Sequence, residues 1–295
     1  MAGLYVDQDR IQGIGGEAPL SRLGRTNTGG IAAGGRGVMT PRGYRYSTGC
    51  RKDPYDRRDY QMRHFLRAAP RQDRVDHRAE MPRVFNQGQV GTCVACAVGY
   101  YDKTYQEQRE NRWGMTSDDH RFSPLFIYSQ RAEQGIDGGM TIREAMKIVN
   151  QEGVCTLKQM PYREDAIDRR PTATQMKAAL PYRSRSFARI SSLGEAELYL
   201  RDNCFVAGLM VHQSFMDAPR GRIPMPRRED PFVGGHALCI VGFDARKQRL
   251  LFANSWGPAW GDGGYGSISY DVFLALLMDA WGMVDAVDFP QAQRS

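Results

Sequence analysis

Three short runs of this chain carry side chains able to make and break a covalent bond. Asn86-Gln87-Gly88-Gln89-Val90-Gly91-Thr92-Cys93 ends on a thiol, and Gly234-Gly235-His236-Ala237-Leu238 holds an imidazole. Asn254-Ser255-Trp256-Gly257 sets an amide beside an indole, with Trp260 close behind. A thiol, a base and a group that orients the base are the parts of a nucleophilic cysteine site. The thiolate is the attacking species, and a free thiol near pKa 8.5 is mostly protonated at neutral pH, so such a site must stabilise the anion. Val94, Ala97, Val98, Tyr101 and Tyr105 follow Cys93 as an apolar stripe at helical spacing. Cys93 is therefore expected at or near a helix N-terminus, where the macrodipole favours negative charge. A protonated His236 would be the second stabilising charge, giving a thiolate–imidazolium pair.

The interval from residue 93 to residue 236 falls within the roughly 130–150 residues that separate thiol from imidazole in papain-type enzymes. The chain resembles the papain-like cysteine peptidases over most of residues 81–285. Gln87 stands six residues before Cys93, Gly235-His236-Ala237 matches the family's histidine context, and Asn254-Ser255-Trp256-Gly257 continues as Trp260-Gly261-Asp262-Gly263-Gly264-Tyr265. The resemblance implies that Asn254 bonds the second imidazole nitrogen, that Trp256 covers that bond, and that Gln87 and the Cys93 amide form an oxyanion hole. It implies that Gly138 and Gly139 pair by backbone with an extended peptide, a strand-addition mode. Met140 and Ile142 then line the main pocket, with an apolar preference two residues before the scissile bond; Ile142 reads equally well as helix core. Two positions depart from the family pattern. Val90 replaces the usual cystine partner, and Val94 replaces the Trp that commonly follows the nucleophile. The implied reaction is peptide-bond hydrolysis of a peptide or protein substrate through a thioester, with no cofactor and no metal. Cys50, Cys96, Cys155, Cys204 and Cys239 show no metal-ligand spacing, and Cys96 reads as a core residue.

The elements that must position these groups fall in two halves. Residues 90–180 read mainly helical: the Cys93 helix, Ser123–Ser129, and Thr141–Gln151 with Ile142, Ala145, Met146 and Val149 at 3–4 spacing. Residues 183–285 read as strands, at 204–211, 236–243, 249–254 and 265–270, with a turn at Asp244-Ala245-Arg246-Lys247. The fold class is α+β: a papain-like two-lobed arrangement with a Cys-bearing helix packed against an antiparallel, barrel-like β lobe. The Arg220–Asp230 loop, rich in arginine and proline, either overhangs the groove or is a solvated surface loop.

The 295 residues carry a net charge of +7. Residues 1–80 hold 15 Lys+Arg against 9 Asp+Glu, so nearly all the excess lies there, and residues 1–50 hold 12 of the 32 glycines. Glycines cluster from Gly13 to Gly37, a composition that builds no core of its own. The division expected is an arm or propeptide-like segment over 1–80 and a peptidase domain over 81–295. The arm reads as a propeptide, as a basic segment for an acidic surface or assembly partner, or as a tether. Residues 53–77 form a short helix or an extended strap. No stretch approaches the roughly 20 apolar residues of a membrane span, and the first residues lack the apolar core of a signal peptide. With the missing cystine partner this points to the cytoplasm or another reducing compartment. The alternative to a peptidase is a structural component of a larger assembly, viral or bacterial, that retains the domain.

Overall fold

The computed structural model of the chain describes residues 44–284. The glycine cluster from Gly13 to Gly37 lies outside the described residues. The strands are β1 (Cys50–Arg51), β2 (Arg74–Asp76), β3 (Met140–Thr141), β4 (Ser186–Arg189), β5 (Phe205–His212), β6 (Arg222–Ile223), β7 (Phe232–Asp244), β8 (Arg249–Ala253), β9 (Tyr265–Ser269) and β10 (Leu277–Val284). The α-helices are α1 (Cys93–Ala95), α2 (Thr104–Asn111), α3 (Pro124–Tyr128), α4 (Ile142–Gln151), α5 (Ala173–Ala179), α6 (Leu193–Tyr199), α7 (Gln213–Met216) and α8 (Tyr270–Leu276). Among the described residues no helix is long and apolar enough to cross a membrane.

One mostly antiparallel sheet runs β4-β10-β5-β7-β8-β9-β6, with β2 also paired to β7. β7 is its centre. Val233 to Phe243 are buried throughout, the continuous apolar run of a strand covered on both faces. One packed cluster joins Phe215, Phe252, Trp256, Trp260 and Ile268 on the side of β8 and β9. A second joins Cys93, Val94, Phe126, Ile142, Val206, Ala237 and Trp281 between the helices and the sheet. Ala237 belongs to the second cluster and Trp256 to the first, so His236 sits where the two meet.

The Cys93 helix is not the single regular α-helix that its apolar stripe suggests. Between α1 and α2 the backbone runs as a π-helix over Cys96–Lys103. This wider winding buries eight consecutive side chains, including Asp102 and Lys103, where a 3.6-residue period would turn some outward. α4 matches its reading: Thr141 is the N-cap, accepting from the Glu144 amide, and the apolar residues at 3–4 spacing are buried. Residues before 81 are built into the fold, since Arg74–Asp76 pair antiparallel with Gly242–Asp244 of β7. The Arg220–Asp230 loop begins in the sheet, with Arg222 and Ile223 pairing parallel to Ser267 and Ile268 of β9.

Candidate active site

Cys93 opens α1 and is completely buried. The turn before it is tight. Gly88 has φ +71°, and a Cβ there would meet the Glu164 carboxylate at 1.9 Å. The Gly91 amide donates to both Asp137 carboxylate oxygens at 3.0 and 2.9 Å. Tyr128 hydroxyl bonds the same carboxylate and accepts from the Gly139 amide at 3.1 Å. Asp137 and Tyr128 thus tie the Gly138-Gly139 loop to the turn that carries the thiol. No motif pointed to either residue, because they lie in runs without a recognisable spacing.

His236 lies on β7 opposite Leu209 of β5. β8 ends with Ala253 opposite Cys239. The next residue in that antiparallel register, Asn254, falls level with Leu238, two residues from His236 and on the same side. The Asn254 side-chain oxygen lies 2.7 Å from His236 Nε2 and also accepts the Ser255 amide at 2.8 Å. An atom that accepts a backbone N–H is the carbonyl oxygen, so His236 must carry its proton on Nε2. Nδ1 is then the lone-pair nitrogen, and it has no hydrogen-bond partner among the described residues. Trp256 stacks on the imidazole at 4.3 Å between centroids.

Gln87 is buried and laced to the same segment. Its amide donates to Ser255 O at 2.9 Å, its side-chain oxygen accepts Ser255 Oγ at 2.6 Å, and its Nε2 donates to Val90 O at 2.9 Å. Gln87, Cys93, His236, Asn254 and Trp256 are all buried; the contacts above join His236, Asn254, Trp256 and Gln87, and Cys93 reaches them through the backbone of Ala237, next to His236. Among the described residues no group of three or more His, Cys, Asp or Glu side chains converges as a metal site would.

The cluster is closed by the chain's own residues 46–53; the strap expected from the sequence lies at 53–77, beyond most of them. Tyr46 stacks on the outer face of Trp256 at 4.8 Å, nearly parallel. Ser47 carbonyl accepts from Trp256 Nε1 at 2.9 Å and from Gln87 Nε2 at 3.4 Å. The Gly49 amide donates to Gly235 O at 3.0 Å, and Gly49 O accepts the Met140 amide at 3.0 Å. β1 then runs parallel to β3, with Cys50 opposite Met140. A Cβ on Gly208 would stand 2.7 Å from Cys50 Sγ and 3.4 Å from Ile142 Cδ1, so the Cys50 thiol fills the recess between them. Ile142 serves both as core and as wall of that recess.

A buried ionic cluster anchors the far end of this strap. The Asp53 amide donates to Asp279 Oδ2 at 2.7 Å, while the Asp53 carboxylate accepts the Arg143 amide at 3.1 Å and Trp281 Nε1 at 3.0 Å. Arg189 pairs with Asp279 at 2.6 Å and with Asp59 at 3.2 Å; Arg143 pairs with Asp59 at 2.5 Å.

Burial sets the electrostatics. It pushes the Cys93 thiol up to about 12, against hydrogen bonds from the Ala237, Val94 and Gly49 backbone. It pushes His236 down to about 4, against its bond to Asn254. Burial under the strap thus disfavours both members of the thiolate–imidazolium pair expected from the sequence. A helix end of this kind is worth under about 2 kcal/mol to an anion, too little to offset the removal of water from both groups.

Comparison with known proteins gives the chain's family and fold. The family model for papain family cysteine proteases matches residues 71–278. An uncharacterized peptidase C1-like protein of Acanthamoeba polyphaga mimivirus is 29% identical over 224 residues, spanning 69% of this chain and 70% of that protein. A cathepsin B-like protein of Giardia intestinalis is 24% identical, over 65% of this chain and 67% of its own. Among solved structures, xylellain, a cysteine protease from Xylella fastidiosa, superposes with a TM-score of 0.72 at 24% identity, covering 86% of this chain and 99% of xylellain. A Carica candamarcensis cysteine protease in complex with E-64 superposes with a TM-score of 0.56 at 17% identity, covering 73% of this chain and 99% of its own. The chain belongs to the papain family of cysteine proteases.

Proposed function

We propose that this chain hydrolyses peptide bonds with Cys93 as nucleophile, His236 as base and acid, Asn254 as the group that orients His236, and Gln87 as an oxyanion donor. The observation that carries the reading is the fixed tautomer of His236. Its Nε2–H is committed to Asn254 at 2.7 Å, and Nδ1 is left with an open lone pair at the seam where Cys93 is packed. In the reaction, the Cys93 proton passes to Nδ1 as sulfur attacks the substrate carbonyl carbon. The oxyanion is held by Gln87 Nε2 and the Cys93 amide. His236 gives the proton to the leaving amine as the C–N bond breaks. Water, deprotonated by His236, then hydrolyses the thioester. Ser47 carbonyl, within reach of Gln87 Nε2 at 3.4 Å, stands in for the substrate carbonyl, and Gly49 stands in for the extended substrate backbone against Met140.

The same contacts support a second part of the reading: residues 44–59 are an inhibitory segment, and the protein with its strap docked is idle. The strap occupies the backbone partners a substrate needs. By keeping water out, it also disfavours the charged forms of Cys93 and His236. Its release readmits water and with it the ion pair. The test is cleavage of a fluorogenic peptide library by the purified protein and by a variant with a loosened strap (Gly49→Ala). Turnover in the variant, abolished by adding Cys93→Ala, supports the reading. A folded Gly49→Ala protein with an accessible thiol and no turnover on any peptide contradicts it.

A further inference from the structure

Over strands β2, β6, β7, β8 and β9, a cavity of about 480 Å³ is lined by Arg74, Arg78, Arg222, Lys247 and Arg249, with Asp244, Leu251 and Ser267. The strand register builds it. Arg222 of β6 lies beside Ser267 of β9, which lies beside Leu251 of β8. One row along, Arg249 of β8 lies beside Asp244 of β7, which lies beside Arg74 of β2. Residues of equal parity on neighbouring strands share a face, so the cationic side chains converge over one patch.

The patch is not neutral. Asp76 is used twice, by Arg78 at 2.8 Å and Arg74 at 3.1 Å, and Asp244 is used by Lys247 at 3.3 Å. Arg222 and Arg249 have no carboxylate within salt-bridge distance among the described residues. Arg249 is instead held in place by Ser267, through its carbonyl at 3.1 Å and its hydroxyl at 3.2 Å. Arg222 follows two consecutive left-handed residues, Arg220 at φ 51° and Gly221 at φ 64°. Gly221 is packed so closely that a Cβ would meet Tyr265 O at 2.5 Å. That turn delivers Arg222 to the cavity at the cost of one non-glycine residue in an unfavourable conformation. Burial, and the charge of Arg222 facing it, hold the Arg249 guanidinium below its usual range, as expected of two like charges with no anion between them. Counting Asp76, and Asp262 at 4.0 Å from Arg78, five cations face three carboxylates.

We propose that this cavity binds a condensed phosphate, either inorganic di- or triphosphate or the phosphate chain of a nucleotide. Guanidinium forks match phosphate oxygens two at a time. The volume lies within the ~300–1,000 Å³ of small-molecule sites. A peptide would have to place two carboxylates side by side in that space to meet the excess charge; a di- or triphosphate brings it in one compact group. The uncompensated pair Arg222 and Arg249 would take one phosphate, and the carboxylate-paired Arg74, Arg78 and Lys247 beside it offer donors to the next group of a chain.

The test is titration calorimetry on the full chain at fixed ionic strength, with sodium triphosphate, ATP and sodium sulfate as separate probes. Saturable one-to-one triphosphate binding, absent with sulfate, is expected. The Arg222→Gln variant, at an exposed position, should weaken it about ten- to hundredfold, and Lys247→Gln should weaken it less. Thermal unfolding of each variant without anion should match the wild type, which separates lost binding from lost folding. ATP binding alongside triphosphate makes the nucleotide a source of the ligand; triphosphate alone makes it the inorganic anion. No saturable triphosphate binding, equal binding of sulfate, or unchanged affinity in an Arg222→Gln/Lys247→Gln double variant overturns the proposal.

Discussion

Gly49→Ala should unlock the active site. A Cβ at position 49 would stand 2.1 Å from Gly91 O and 2.6 Å from the Gly91 carbonyl carbon and Cα. Gly91 cannot yield, because its amide is held by Asp137 at 2.9 Å and it leads directly into the Cys93 helix. The strap must retreat by about an ångström to reach ordinary contact distance. It then loses the Gly49 bonds to Gly235 and Met140, both 3.0 Å. Overpacking of this kind costs about 1–3 kcal/mol, and each exchanged hydrogen bond about 0.5–1.5 kcal/mol. A total of about 2–6 kcal/mol raises the open population about thirty- to twenty-thousandfold, at 1.4 kcal/mol per factor of ten. The assay is the rate of Cys93 alkylation by an epoxide, read by peptide mapping. All six cysteines are buried, so general unfolding would label them together, whereas strap release labels Cys93 and Cys50 first. A folded Gly49→Ala protein labelled at Cys93 no faster than wild type would refute the reasoning.

Acid should hold the strap down rather than free it. Burial, then the charge of Asp53, raises Asp279 to about 6 against the pull of Arg189, and burial raises Asp53 as well. Arg143 and Asp59 complete the charges around them. A group whose pKa is raised in the docked state binds protons more tightly there. Docking is therefore strongest below the carboxylates' ordinary range and weakens as pH rises through about 6. Two pKa units set a ceiling of about 3 kcal/mol. Cys93 labelling in wild type relative to Gly49→Ala should rise between pH 5 and 7.5, and Asp279→Asn should flatten the rise; a falling ratio means the sign is wrong. Arg189→Met should lower stability by about 3–5 kcal/mol, because it leaves Asp279 and Asp59 short of a partner in a buried site; a denaturant midpoint unchanged from wild type argues against that network. Gln87→Ala in the Gly49→Ala background should lower kcat about 10²- to 10³-fold, the scale of one lost oxyanion donor. Cys93 labelling should change far less, and equal losses in both would make Gln87 structural.

What the sequence revealed and what it hid follow from range. The family, and the pairing of His236 with Asn254, were legible because Cys93, His236 and Asn254 each sit in a contiguous run with glycines or Trp256 beside it. The strands and α4 were legible because local periodicity and the Thr141 cap declare them. The strap was not, because Ser47 and Gly49 dock by backbone bonds that place almost no demand on side-chain type. Only the small size of Gly49 is required, and a lone glycine marks no motif, least of all after the glycine-rich run of residues 13–37. The Asp53–Asp279 and Arg189–Asp279 contacts join residues 226 and 90 positions apart, beyond any local pattern. The desolvation of Cys93 and His236 was out of reach for the same reason: it depends on the strap that covers them, not on the helix that follows the thiol. The π-helical stretch over Cys96–Lys103 was hidden because its apolar residues fit a regular helix equally well.

The most direct test of the central claim is the intact mass of the Gly49→Ala protein after treatment with E-64 under reducing conditions, beside the same protein carrying Cys93→Ala or His236→Ala. The account predicts one adduct on Gly49→Ala, none on the Cys93→Ala form, and sharply slowed addition on the His236→Ala form at neutral pH. An adduct that persists without Cys93, or that forms equally fast without His236, would contradict a cysteine nucleophile activated by that imidazole.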